Sequence, residues 1–215
     1  MLQQGLGYWY NAVALTQIGW TFAFAYEVIW LSLVFMISIW ICLISILYSQ
    51  YYTKSDGSLW EFWVLRFPFA IHAGWITAAS ALNVNVQVVD MNAAPEYQLA
   101  VAIVSLAVLH AISVWVLFKL ERPNWTIACV LSWAFGYIYK ELNEAENPTN
   151  ATFSEDTKLG VMYAAIAVCF IILLQIVVRL GLLFRPTLNP YKKASEEETV
   201  GSGEEVVGLV DGEKE

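Results

Sequence analysis

Long apolar runs separated by short polar or charged connections set the pattern of this chain. Five runs, roughly Val28–Tyr48, Val64–Val89, Leu99–Phe118, Trp125–Tyr139 and Leu159–Phe184, approach or exceed the length of helix needed to cross a bilayer, which is about 20 residues. Backbone N–H and C=O groups in lipid must find partners within the segment, so the runs are expected to be helices and not strands. The fold class expected is therefore all-α, a polytopic transmembrane bundle of about five spanning helices over residues 28–186. Residues 8–26 form a sixth apolar stretch that joins the first run without a proline or a glycine-rich turn. The pattern leaves them as an interfacial or re-entrant lead-in (1–27) or as a further span.

Composition agrees. Of 215 residues, 59% are hydrophobic and 14% charged, against about 45–50% and about 25% in soluble domains. One soluble core of this size could not hide the excess, so lipid is the expected solvent for much of the surface. The formal charge of −8 is concentrated in the last 22 residues, where eight acids face one lysine. Residues 187–215 read as a disordered acidic tail, and the balance excludes nucleic acid as a partner. Cys42, Cys129 and Cys169 fall in apolar runs with no CxxC spacing and read as small buried hydrophobes.

Basic residues set the expected orientation, because Lys and Arg collect on the cytoplasmic side. Lys54 and Arg66 flank the connection after the first run, Lys119 and Arg122 the one after the third, and Arg185, Lys192 and Lys193 follow the last. With five spans this puts the N-terminus outside and the tail in the cytosol. Asn150-Ala151-Thr152, in the connection expected outside, is an acceptor sequon for N-glycosylation at Asn150.

Polar groups within spans are costly and mark sites or interhelical bonds. In the second run His72, Trp75, Ala79, Asn83 and Gln87 recur at three- and four-residue steps and share one helix face. Such a face can orient an apolar ligand through a few polar contacts, or can simply bond neighbouring helices. Glu27 precedes the first run and needs a donor such as His72 or His110 only if it lies deep. His110 and Gln175 read as packing groups. Gly160 and Ala164 would let another helix approach closely. No span holds a lysine for a retinal Schiff base, and HExxH, P-loop and paired intramembrane carboxylates are absent from the sequence. Nothing in the pattern demands an enzyme.

Trp75-Ile76-Thr77-Ala78-Ala79-Ser80-Ala81-Leu82-Asn83 resembles the W-x-T-x-A-x-x-L-N element of the translocator, or tryptophan-rich sensory, protein family, with Pro68 upstream. Gln17-Ile18-Gly19-Trp20-Thr21-Phe22-Ala23-Phe24 resembles the family's N-x-x-W-S-x-x-F-F element, with Gln for Asn and Thr for Ser. The resemblance covers about residues 11–90. In the family the first of these elements lies in the last helix, whereas here three further runs follow. The resemblance implies a five-helix bundle that binds a tetrapyrrole or a sterol-like ligand between helices, as a sensor or carrier. Carried over by position, Trp20, Trp75 and Asn83 would line the site, and the helix-face argument adds His72 and Gln87. Two other functions stand beside this one: a structural or assembly subunit of a larger membrane complex, docking homo- or hetero-oligomeric partners on small-residue faces, and a solute transporter.

Overall fold

The computed structural model describes residues 7–55, 57–144 and 148–183, and among them it contains six α-helices and no strand. They are α1 (Trp9–Ala25), α2 (Ile29–Tyr52), α3 (Phe67–Asp90), α4 (Pro95–Phe118), α5 (Trp125–Leu142) and α6 (Glu155–Leu183). Residues up to Gln175 make one compact unit; Ile176 onward is a second, whose described part is the last two turns of α6. The expected acidic tail lies outside the described residues. Of the six helices, α2, α4 and α6 are long and apolar enough by themselves to cross a bilayer. Their outward faces carry Trp30, Val34 and Ile41 on α2 and Ile103, Val104 and Trp115 on α4, all more than half exposed or at that mark. Water would not tolerate apolar surface on this scale. The second expected run is α3, whose polar residues dilute an otherwise apolar helix.

The stretch 8–26 is helical as α1, which reverses into α2 through Tyr26, Glu27 and Val28. The reversal is a Schellman turn: the Val28 N–H donates to Ala23 O at 2.8 Å and the Glu27 N–H to Phe24 O at 3.0 Å, with Glu27 in the left-handed region at φ 57°. Glu27 is exposed at this turn, so it has no need of a buried donor. The same turn recurs between α3 and α4, where Asn92 has φ 53° and the Ala93 N–H reaches Val88 O. There Pro95 starts α4 at once, its missing N–H costing nothing in the first helical turn.

Because α1 runs back along α2, Trp9 lies beside Tyr48, Tyr52 and Thr53. The start of α1 is thus at the same end of the bundle as Arg66 and Arg122, which line one cleft with the last turn of α2. α1 thus adds one more passage of helix along the bundle ahead of α2. Lys54, Arg66, Lys119 and Arg122 make this the basic end of the bundle.

Polar ties hold α2 and α3 antiparallel in one register. Ser32 Oγ donates to Asn83 Oδ1 at 3.2 Å, Trp40 Nε1 to Thr77 Oγ1 at 3.0 Å, and Gln50 Nε2 to Leu65 O at 2.8 Å. Between them Met36, Ile39, Leu43 and Ile46 of α2 pack on Ala73 and Ile76 of α3, with Val13 of α1. At the basic end α3 is preceded by a wide π-turn, Glu61–Arg66. It ends where Pro68, which has no N–H to give to the turn before it, enters the helix. The turn sets Arg66 on the buried carboxylate of Glu61 at 2.6 Å. The same guanidinium donates to Gln50 O and Thr53 O at 3.0 and 3.2 Å, satisfying carbonyls that α2 leaves open at its end.

Further along, Asn85 Nδ2 bonds Ser105 Oγ of α4 at 3.0 Å, and Ser132 Oγ of α5 bonds Cys169 O of α6 at 3.1 Å. Close helix approaches occur at Gly19, against the Phe35 ring, and at Gly74, against Val130 and Ile127 of α5. Gly160, the expected approach point, has open space around it among the described residues. The cysteines divide: Cys42 is buried, Cys169 half-buried, and Cys129 exposed on the outer side of α5, contrary to the reading of all three as buried. The sequon residue Asn150 belongs to the short 3-10 turn Pro148–Ala151 between α5 and α6.

Candidate functional site between the first three helices

Five residues were expected to form one site, and the structure divides them. α1 and α3 both pack antiparallel to α2 and so run in the same direction, and they meet at Tyr10 and Phe69, whose rings are 5.6 Å apart, edge to face. An offset of 59 residues therefore relates the two helices. The same offset sets Trp20 level with Ala79, and both pack on the apolar cluster of α2 and α3. The seam between α1 and α3, floored by α2, thus carries Trp20 on one wall.

Trp20 is half-buried and stacks on Phe24 one turn on, at 5.2 Å between ring centroids. Its indole N–H is fully buried and meets no acceptor among the described residues. A buried donor left unmet costs about 1–3 kcal/mol, so this atom is the best marker of a polar contact that the bundle itself does not make. Gln87 likewise has a buried, unmet Oε1 near the other end of α3. His72 is half-buried, toward the basic end.

Asn83 is engaged differently. Only 4% exposed, it accepts from Ser32 and donates to Ala79 O, so its amide joins α2 to α3. Trp75 is on yet another side of the helix: 45% exposed, its ring lies 5.5 Å from Trp133 of α5, which in turn lies 5.5 Å from Tyr137. The reason is angular. At 100° per residue the 72–75–79–83–87 face spans about 120°, with Trp75 at one edge and Asn83 about 80° round from it, so α2 reaches Asn83 while Trp75 turns to α5.

The residues that α2 buries most are instead Ala73, Ile76, Thr77, Ser80 and Asn83. Thr77 and Ser80 were missed, although three-residue steps back from Asn83 pass through both. Trp40, the partner of Thr77, and Ser32, the partner of Asn83, lie in a run too uniformly apolar for spacing to single them out. Ser80 Oγ is buried without a partner among the described residues. Two clefts open at the basic end, of about 620 Å³ beside Trp9 and Tyr52 and about 190 Å³ beside Arg66 and Arg122; none of the five expected residues lines either.

No curated protein and no solved structure matches the chain. The model of one family, described as TSPO-like protein, matches residues 1–178, which takes in all of α1 to α5 and most of α6. The match extends far past the 11–90 stretch that carries the resemblance, so the helices after α3 belong to the family pattern too. With apolar helices throughout and a match over more than four-fifths of its length, the chain is an integral membrane protein that belongs to the TSPO-like protein family.

Proposed function

We propose that this protein binds an apolar small ligand, tetrapyrrole- or sterol-like, in the seam between α1 and α3, and acts as a sensor or carrier. The observation that carries the reading is the buried indole N–H of Trp20, unmet by any acceptor among the described residues and set beside the apolar cluster of α2 and α3. A mostly apolar wall with one donor is the make-up of a site that gains affinity from area and orientation from a single bond. Family membership supports the ligand class. Asn83 serves indirectly, holding α3 against α2 so that the seam keeps its width. In this reading the bundle crosses the membrane with α1 as well as the five expected spans, about 25 Å of helix in α1. Its basic end, including the start of α1, faces the cytosol.

The test is a porphyrin titration of the protein in nanodiscs, followed by quenching of tryptophan fluorescence, with empty nanodiscs as the blank. Trp20→Phe keeps the ring and removes the donor, and affinity should fall about three- to ten-fold, the value of one hydrogen bond. Trp75→Phe, on the α5 side, should leave it unchanged. Equal affinity in Trp20→Phe and wild type would remove the seam as the site.

A second reading, a structural or assembly subunit, draws on a separate observation: Gly160 on α6 stands open, with Ala164 one turn on. Stoichiometric co-purification of another membrane protein, lost in Gly160→Leu, would favour it.

A further inference from the structure

The smaller cleft at the basic end, of about 190 Å³, has walls of two kinds. Toward the membrane interior it is apolar, with Leu47, Phe67 and Ala70; at its mouth stand Arg122, the first residues of α5, and Tyr51 and Trp125. Tyrosine and tryptophan rings of this kind favour the headgroup level of a bilayer. Arg66 also lines it, but its charge is balanced by Glu61 and two of its N–H groups are held by carbonyls at the end of α2. Arg122 is exposed and has no ion-pair partner among the described residues. The neighbouring acid, Glu121, does not line this cleft. At the start of α5 the Asn124 side chain caps the Ile127 N–H, and Trp125 and Thr126, whose amides precede the first intrahelical bond, line the same cleft at the positive end of an 18-residue helix. The cleft therefore offers a guanidinium outside the ion pairs of the described residues and the first turn of α5 beside interfacial rings, continuous with an apolar wall.

We propose that this cleft is a binding site for an acidic glycerophospholipid. Arg122 and the first amides of α5 hold the phosphate, and the acyl chains lie along Leu47, Phe67 and Ala70. A free phosphate would use the mouth but not the wall, and the apolar continuation is what assigns the occupant as a lipid. The inference stands apart from the seam between α1 and α3 and does not depend on it.

The full chain, reconstituted in phosphatidylcholine nanodiscs containing a minor fraction of phosphatidylglycerol and then extracted in mild detergent, would be weighed by native mass spectrometry. Wild type should retain one phosphatidylglycerol. Arg122→Gln should lower that retention about five-fold, the value of one basic residue against an acidic lipid. Lys140→Gln, at the opposite end, should leave it as it is. Arg122 is exposed, so the substituted chain should melt as wild type does. Retention unchanged in Arg122→Gln, or phosphatidylcholine held as well as phosphatidylglycerol, would overturn the proposal. So would release of the lipid by millimolar inorganic phosphate as complete as by short-chain phosphatidylglycerol, because the site would then read a bare anion.

Discussion

Substitution of Gly74 by alanine probes how closely α3 and α5 meet. A Cβ built on Gly74 falls 3.0 Å from the Val130 Cβ, 3.1 Å from its Cγ1 and 3.4 Å from the Ile127 Cα. Carbon atoms pack best at about 3.5–4.0 Å. The Val130 Cβ is fixed to its backbone, so no side-chain rotation relieves the contact, and the helices must separate by roughly half an ångström. Overpacking of this sort costs about 1–3 kcal/mol. Against it stands the better helix propensity of alanine, about 1 kcal/mol. The net effect should be a loss of about 1 kcal/mol. Gly160→Ala is the control, because nothing lies within 4 Å of its Cβ and only the propensity gain applies. Unfolding in mixed micelles of rising dodecyl sulfate content, followed by tryptophan fluorescence, would measure both. Gly74→Ala should shift the midpoint down and Gly160→Ala up. A Gly74→Ala midpoint at or above wild type, with Gly160→Ala behaving as stated, would refute the close approach of α3 to α5.

The same assay serves two further substitutions. Glu27→Gly should raise stability by about 0.5–1 kcal/mol, since a left-handed residue with a Cβ costs about 1–2 kcal/mol and glycine returns part of that in chain entropy; a drop would mean that Glu27 makes a contact outweighing its backbone strain. A double-mutant cycle of Ser32→Ala and Asn83→Ala should give a coupling of about 0.6 kcal/mol, typical of interhelical bonds in membranes, and a coupling indistinguishable from zero would remove this tie from the register of α2 and α3.

Much of the helix inventory was legible in the chain. Lipid gives backbone groups no alternative to internal hydrogen bonds, so long apolar runs declare helices whatever packs on them. The membership also showed early, in Trp75 to Asn83 and in Gln17 to Phe24. The reversal between α1 and α2 did not show, because the residue in the left-handed position is Glu27 and not glycine or asparagine. It returns α1 along α2, a packing that the apolar run by itself leaves open. The site residues were legible as a set of polar groups and illegible as an arrangement. Spacing placed Trp75 and Asn83 on one face, yet α5 takes one and α2 the other.

Residue by residue, sequence decided what solvent each segment would accept, which segments would be helical, and where charge would gather. Tertiary structure alone decided which edge of α3 is covered, which polar groups join helices, and that the Trp20 indole N–H is buried without an acceptor among the described residues. The physical reason is that burial in lipid is a property of a segment's own composition, whereas a hydrogen bond between helices needs two residues brought within about 3 Å by packing that neither of them encodes alone.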